Sequence, residues 1–271
     1  MRTASACNGA VGYALRAFRG WLGPPLCLLV LAVVPPLPAS SGADTTASGG
    51  IPEFRAEYEL ERNSMRAARL TRTLRCDDGM CRFTSEGRTV GFIDLLLRGR
   101  IEESTQFRFD GDGIEPRDYT YRQSARGDND EYVRLFFDPR TGRVSSRGDD
   151  QWQDHLDGEV MDELLSQLRL MLAVRAGETE MEFTVVEGDG DRDVYRFAVV
   201  GEEPVETGAG TYDAVKVERV GGSDKRTTVM WFAPALEFIP LVVRQEQEGG
   251  ENYTATLSSI EREPRIYTPG D

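Results

Sequence analysis

Residues 157–176 read DGEVMDELLSQLRLMLAVRA, and this stretch carries the strongest helical signal in the chain. At 100° per residue, one group of its apolar side chains falls within an arc of about 140°. The group comprises Val160, Met161, Leu164, Leu165, Leu168, Met171 and Leu172. Leu170 and Val174 fall outside this arc, and Gly177 is a typical helix stop. The helix is therefore apolar on most sides of its C-terminal half, which predicts that a curved sheet cups it or that a second layer covers it.

Alternating apolar and polar residues predict strands before and after this helix. Residues 54–61 and 101–109 both alternate with a period of two, as half-buried strands do. Short turns rich in Gly and Asp, such as 110–113 and 188–191, separate the strand candidates. Neither β-α-β alternation nor a repeat of fixed period is present. We predict a mainly β protein in which a curved antiparallel sheet of roughly a dozen strands, a half-barrel or open barrel, cups one central α-helix.

The first 43 residues have the pattern of a secretory signal peptide. Three arginines precede an apolar run at residues 26–34, and small residues at 41–43 fit a cleavage site. The apolar run is shorter than the roughly 20 residues that a membrane-spanning helix needs. An uncleaved signal anchor is the alternative, and a lipoprotein signal is less favoured because Cys27 lies at the start of the apolar run. We expect cleavage near Ala43, export to the periplasm of a Gram-negative bacterium, and no transmembrane segment after cleavage.

The rest of the chain is long enough for one large domain. We assign 1–43 to the signal peptide, 44–50 to a flexible lead-in, 51–263 to a single β-rich domain and 264–271 to a C-terminal tail. A mature chain of about 230 residues buries roughly 70% of its unfolded surface, so it needs neither a metal nor a disulfide framework to fold.

The charge balance excludes several partners. All 46 acidic residues follow residue 43, together with 29 of the 32 basic ones, so the exported part carries a formal charge of −17. A general nucleic-acid-binding protein needs a basic surface, and docking on anionic lipid headgroups needs one too. The acidic charge therefore excludes a general nucleic-acid binder and argues against docking on anionic lipid headgroups.

Two cysteines remain after signal cleavage, Cys76 and Cys81. The four residues between them contain Asp78-Gly79, which is a hairpin-loop composition. Opposed positions on a hairpin bring Cβ atoms near the spacing of a disulfide, and export favours oxidation. We predict a Cys76–Cys81 disulfide; free buried thiols are the main alternative, and two thiols alone make a poor zinc site.

The chain lacks the common catalytic and cofactor motifs. His155 is its one histidine, so a site with several histidine ligands is excluded. There is neither a Gly-x-Ser-x-Gly elbow nor a phosphate-binding loop. Asp189, Asp191 and Asp193 resemble the start of a calcium loop, but Val194 occupies the position where the loop needs glycine. We therefore predict no catalytic residue, no cofactor and no metal.

An aromatic segment at residues 229–241, VMWFAPALEFIPL, leaves two interpretations open. It is either a hydrophobic plug that closes one end of a barrel or the rim of an apolar pocket. The pocket interpretation combines this segment with the apolar face of the helix. The candidate ligand-binding residues are then Leu164, Leu168, Met171, Trp231 and Leu236.

A series of short motifs resembles the bacterial exported family catalogued as domain of unknown function 3108. They are Tyr58-Glu59-Leu60; Phe107-Arg108-Phe109 with Pro116-Arg117-Asp118-Tyr119; Phe137-Asp138 with Gly142-Arg143-Val144; Asp157-Gly158 with Asp162; AGTYDAVKVER at 209–219; and Trp231-Phe232-Ala233-Pro234 with Pro240. The resemblance implies a periplasmic β-rich protein without an assigned activity. The strand-rich layout also resembles, more distantly, the half-barrels of lipoprotein carriers.

Three functions compete on these observations. The first is a non-enzymatic periplasmic protein that holds an apolar or lipid-like ligand, or the acyl chain of a lipoprotein client. The second is an interaction or scaffold protein of the cell envelope with a filled core. The third is a hydrolase of envelope polymers that uses a carboxylate pair. A cavity lined by Leu and Met favours the first, a packed interior the second, and two close carboxylates in a groove the third.

Overall fold

The computed structural model describes residues 51–110, 113–126, 130–149, 151–156, 158–221 and 226–267. The predicted signal peptide (1–43), the lead-in (44–50) and the last four residues of the predicted tail lie outside this part of the chain. The final strand runs on to Tyr267, past residue 263, where the sequence analysis placed the end of the domain.

The described residues form fifteen strands, two α-helices and one 3₁₀ turn. The strands are β1 (Ile51–Arg62), β2 (Met65–Asp77), β3 (Met80–Thr89), β4 (Arg100–Asp110), β5 (Gly113–Ser124), β6 (Glu131–Asp138), β7 (Arg143–Gly148), β8 (Gln153–His155), β9 (Val160–Met161), β10 (Glu180–Val186), β11 (Arg192–Thr207), β12 (Gly210–Arg219), β13 (Arg226–Ala233), β14 (Ile239–Gln247) and β15 (Asn252–Tyr267). The helices are α1 (Gly91–Leu97) and α2 (Glu163–Arg175), and the 3₁₀ turn is Pro234–Leu236.

All fifteen strands belong to one sheet, in the order β8-β7-β6-β5-β4-β3-β2-β1-β15-β14-β13-β12-β11-β10-β9. Neighbours along the chain pair as antiparallel hairpins, and β9 pairs with β10 in parallel. Pairing of β1 with β15 joins the two halves of the sheet. No backbone ladder in the described residues closes the sheet, since β8 and β9 are its edges. The prediction of a mainly β, antiparallel fold is therefore confirmed.

Helix α2 has the start and stop that its sequence predicts. The Asp162 side chain accepts a hydrogen bond from the backbone N–H of Leu165 at 2.8 Å and so caps the N-terminus. Gly177 has a φ of 82°, the left-handed conformation that ends many helices. Leu170 and Val174, which fall outside the main apolar arc, are buried as well. The helix contacts β3, β4 and β10, so its apolar sides are covered by strands that are far apart in the sheet order. The short helix α1 is absent from the sequence prediction.

Side chains from the two ends of the sheet order meet near the β10–β11 turn. The indole N–H of Trp152, just before β8, donates to the carbonyl of Gly188 at 2.8 Å. Arg192 at the start of β11 pairs with Asp154 on β8. A Cβ at Gly190 would lie 3.1 Å from the Trp152 ring, which leaves little space there for a side chain. The sheet must therefore curve strongly to bring these strands together. Among the described residues, no helix is long and apolar enough to cross a membrane.

The predicted Cys76–Cys81 disulfide is confirmed. The two residues are directly opposed in the β2–β3 ladder, with Cα atoms 4.0 Å apart. Cys81 is fully buried, and the bridge lies next to the Asp78-Gly79 turn, both of whose residues have positive φ.

Reducing this disulfide should lower the free energy of unfolding by about 2 kcal/mol, because a short closed loop restricts the unfolded chain only modestly. Urea unfolding of the oxidised and reduced wild type measures the effect of the crosslink without changing a side chain. A Cys76→Ala/Cys81→Ala variant serves as the control and should match the reduced protein in the absence of reductant. Identical unfolding midpoints for the oxidised and reduced protein would contradict the prediction.

Candidate functional site

The five predicted ligand-binding residues are all buried. Leu164 is 0%, Leu168 1%, Met171 3%, Leu236 4% and Trp231 6% exposed. All five belong to one contiguous cluster of buried side chains. The first three lie on α2, where they pack into the core of the sheet.

Trp231 is held on the face of β13 opposite Met230 and Phe232, because successive strand side chains alternate between faces. Its indole N–H donates to Glu203 at 2.6 Å. Lys216 and Arg244 each place a cationic group 5.4 Å from the ring centre. Charged groups on β11, β12 and β14 therefore hold the Trp231 side chain in place. This side chain lies on the face of the sheet that α2 does not cover.

The aromatic segment lies at the C-terminal end of α2. An ion pair of 3.3 Å between Arg175 and Glu237 joins the helix to the segment. The segment forms the 3₁₀ turn Pro234–Leu236, which contacts β12, and Leu236 and Ile239 are buried. This position favours the plug over the pocket rim.

An apolar recess lies near the other end of α2, and its volume is about 200 Å³. We call it the apolar recess. Side chains of β5, β6 and β7 and the segment before α2 form it. Its lining contains seven apolar residues and four charged ones. The apolar residues are Ile114, Pro116, Phe137, Pro139, Val144, Leu156 and Val160, and the charged ones are Glu115, Asp138, Arg143 and Glu159. Four of the apolar residues, Ile114, Val144, Leu156 and Val160, are less than 9% exposed and belong to the core cluster, so the recess adjoins the hydrophobic interior.

A larger, polar groove of about 500 Å³ lies over β4, β5 and β6. Four carboxylates line it, from Glu102, Asp130, Glu131 and Asp149, together with two arginines and Tyr132. Glu102 pairs with Arg100 at 2.5 Å, and Asp149 accepts a hydrogen bond from the Tyr132 backbone N–H at 2.9 Å. At least two of the four carboxylates therefore already have partners within the fold.

A buried polar network lies beneath the N-terminus of α2. The Thr105 hydroxyl donates to the Asp162 carboxylate at 2.7 Å, and Tyr119 donates to Glu103 at 2.9 Å. The pKa of Asp162 is raised to about 7, mainly by burial and to a smaller degree by the charge of Glu103, although hydrogen bonds from Leu165 and Thr105 act to lower it. The sequence contained a signal for this network, because Glu103 and Thr105 share the strand phase of the apolar residues on β4.

Arg72 supplies the positive charge of this network. It is 6% exposed, and its guanidinium lies 5.7 Å from the centre of the Tyr58 ring. Burial lowers the pKa of Arg72, while Tyr58 and Glu103 raise it. Burial also raises the pKa of Tyr58 to about 12, and its hydroxyl donates to the Pro240 carbonyl at 3.0 Å. Arg72 and Glu103 are therefore two buried groups of opposite charge on β2 and β4, which β3 separates.

The raised pKa of Asp162 makes stability depend on pH. The folded state binds the carboxyl proton of Asp162 more tightly than the unfolded state does. The stabilisation from this proton is therefore complete below pH 3.8 and is lost as the pH rises to about 7. Asp162→Asn cannot ionise but retains the capping ability. From pH 4 to 7, wild type should lose about 3 kcal/mol relative to Asp162→Asn. Urea unfolding of both proteins across this range tests it, and parallel stability curves would contradict it.

The structure also bears on metal binding and on the position of His155. In the ranges that the structure describes, no group of three or more Cys, His, Asp or Glu side chains could hold a metal ion. His155 lies on the edge strand β8 and is exposed.

Together these features define a mainly β protein with one open, strongly curved antiparallel sheet, a buried helix and a small apolar recess. Residues 54–258 match the family described as "Protein of unknown function (DUF3108)". The chain belongs to this family, as its short motifs indicated.

Two solved structures are similar to this chain. One is described as a beta-barrel-like protein of domain of unknown function DUF1849 from Brucella abortus, with 12% identity, a TM-score of 0.49, and coverage of 79% of this chain and 99% of that one. The other is a putative lipoprotein from Parabacteroides distasonis, with 9% identity, a TM-score of 0.28, and coverage of 78% and 96%. No curated protein matches the chain.

Proposed function

We propose that this protein is a non-enzymatic, exported protein of the periplasm that holds an apolar chain, such as the acyl chain of a lipid or of a lipoprotein client. In this proposal the sheet is a half-barrel that cups α2. The contacts of α2 with β3, β4 and β10 support that shape, as does the Trp152–Gly188 hydrogen bond between the two ends of the sheet.

The apolar recess is the single observation on which the ligand proposal rests. Ligand pockets combine a mainly apolar lining with a small number of polar groups, and in the recess seven apolar residues stand beside four charged ones, Glu115, Asp138, Arg143 and Glu159. Its volume of about 200 Å³ is below the range typical of drug-sized ligands, although cavities of about 150 Å³ bind benzene. The recess therefore suits the end of an acyl chain. The candidate residues Leu164 and Leu168 lie outside its lining, on α2, which follows the recess residue Val160 along the chain.

Binding of a fluorescent fatty-acid analogue to the mature protein tests the proposal. Phe137 lines the recess, is partly exposed and packs against the edge of the core, so Phe137→Asp places a carboxylate in the recess; urea unfolding of the variant checks that it still folds. We expect this variant to weaken binding about tenfold or more, because an acyl chain that enters the recess would displace the water that hydrates the new carboxylate.

Phe136→Asp is the matched control. Phe136 is the preceding residue and is also partly buried. It packs against Arg134 and Arg147 and does not line the recess. Its variant should bind within about twofold of wild type. Absence of saturable binding by wild type would overturn the ligand proposal. The export part has its own test: N-terminal sequencing of protein from the periplasmic fraction should begin near Asp44.

One observation favours a second candidate, an interaction or scaffold protein of the cell envelope. Leu164, Leu168 and Met171 are at most 3% exposed and pack in one continuous core, as a protein with a filled interior requires. Such a protein would act through its outer surface. A wild type that binds no acyl probe but retains a stable, cooperative fold would favour this candidate.

A further inference from the structure

Two buried polar side chains face each other on the sheet without hydrogen-bond partners. Thr228 on β13 and Gln245 on β14 are directly paired in the ladder, and both are 0% exposed. In the described part of the chain, the Thr228 hydroxyl and both amide atoms of Gln245 have no partner. Buried polar atoms are nearly always hydrogen-bonded, because an unsatisfied group costs about 1–3 kcal/mol. This pair therefore leaves three hydrogen-bonding atoms available in the interior.

Two arginines extend this polar region. Arg226 precedes Thr228 by two residues on the same face of β13, and its Nη1 atom is buried without a described partner. Arg219 on β12 has a side chain that is 6% exposed, and its Nε atom is likewise buried and unpartnered in the described residues. Its guanidinium lies 4.8 Å from the centre of the Tyr195 ring. The region thus offers several N–H donors, one hydroxyl and one amide oxygen.

The surrounding charges disfavour an anion. Burial raises the pKa of Tyr195 well above its usual range, and three carboxylates raise it further, whereas Arg219 lowers it. These carboxylates belong to Glu163, Glu187 and Asp193. Asp193 already pairs with Arg219 at 3.9 Å, and the three carboxylates outnumber the guanidinium groups of Arg219 and Arg226, so an added anion gains no net attraction to offset its desolvation cost. A neutral group that both donates and accepts hydrogen bonds meets no such penalty.

We infer that Thr228, Gln245, Arg219 and Arg226 form an internal site for a neutral, hydroxyl-bearing headgroup. Hydroxyls can accept from the guanidinium and amide N–H groups and donate to the amide oxygen of Gln245. This inference rests on the proposed function and specifies its ligand as a neutral amphiphile. Burial lowers the pKa of Arg226, whereas the charge of Glu163, the first residue of α2, acts to raise it. Glu163 follows the recess residue Val160 by three positions. The polar region and the apolar recess therefore both lie near the N-terminal end of α2.

Two chain-matched probes test the inference, 1-monododecanoylglycerol and dodecanoate, at pH 8, where the carboxylate is ionised. Displacement of a fluorescent acyl probe from the full mature protein measures both affinities. Wild type should bind the monoacylglycerol about tenfold more tightly, the gain expected from one or two hydrogen bonds to buried groups. The Thr228→Val/Gln245→Leu variant should lose this preference and bind both probes equally.

The same variant carries its own folding control. Replacing unpartnered polar atoms by apolar groups of similar shape is neutral or stabilising, so the urea midpoint of the variant should equal or exceed that of wild type. Thr227→Val, one residue along on the exposed face, should leave both the preference and the midpoint unchanged.

The outcomes separate the inference from the proposed function. If wild type binds both probes equally and Thr228→Val/Gln245→Leu changes nothing, the headgroup site is wrong while acyl binding stands. Tighter binding of dodecanoate would also overturn the neutral headgroup. If wild type binds neither probe, the proposed function and the headgroup site fail together.

Discussion

Replacing Leu168 by alanine should lower the free energy of unfolding by about 2–5 kcal/mol. Leu168 lies in the middle of α2 and is 1% exposed, within the contiguous core. Its truncation removes buried methyl groups and leaves a void that the surrounding strands fill incompletely. Chemical denaturation of both proteins at one pH measures the loss.

Val200→Ala is the control for this substitution, because Val200 is 47% exposed and its truncation should change stability by less than about 0.5 kcal/mol. Leu168→Met, which keeps the volume, should cost less than about 1.5 kcal/mol. A loss below about 1 kcal/mol for Leu168→Ala would mean that the helix already borders an open cavity. That result would support the prediction that Leu164, Leu168 and Met171 line a pocket.

Glu103→Gln should lower the free energy of unfolding by about 1–3 kcal/mol, because it removes a buried negative charge that accepts the Tyr119 hydrogen bond and stabilises the charged form of Arg72. The variant keeps the shape of the side chain and an oxygen that can accept the Tyr119 hydrogen bond. The measurement belongs at pH 5.5. At that pH Asp162, with a pKa of about 7, is mostly protonated and cannot replace the lost charge.

Glu102→Gln supplies the matched control. Glu102 is the preceding residue on β4 and forms an exposed ion pair with Arg100, with side chains 43% and 60% exposed. Exposed pairs contribute about 0–1 kcal/mol, so this variant should remain close to wild type. Equal losses for the two variants would show that Arg72 does not depend on Glu103.

The features that local sequence determines were predictable. Helix α2 and the Cys76–Cys81 bridge depend on residues within one segment, and the periodicity and the turn composition indicate both. The buried network differs in this respect. The strand phase of Glu103 indicates an inward-facing carboxylate, but the buried Arg72 lies on β2, and a single sequence does not reveal that the two charges share one interior.

Strand phase also separates Trp231 from the other predicted ligand-binding residues. Trp231 was grouped with the helix because its segment is rich in apolar residues, although its alternation with Met230 places it on the other face of β13. The second half of β11 was missed for a different reason. Gly201 and Pro204 are both unfavourable within strands, yet the strand continues through them to Thr207 beside a register shift in the β11–β12 ladder.

The pairing of β1 with β15 places the first and last described strands side by side in the middle of the sheet. Most other neighbours are hairpins that can form as soon as their own residues are available, whereas this contact spans nearly the whole domain. Contacts so distant in sequence form slowly, so the two halves must persist as partial sheets until the C-terminal strand arrives. During that interval β1 and β14 are both unpaired edges, which readily associate with other chains. A chain that ends before residue 252 lacks β15, so it would leave the edges of β1 and β14 permanently unpaired.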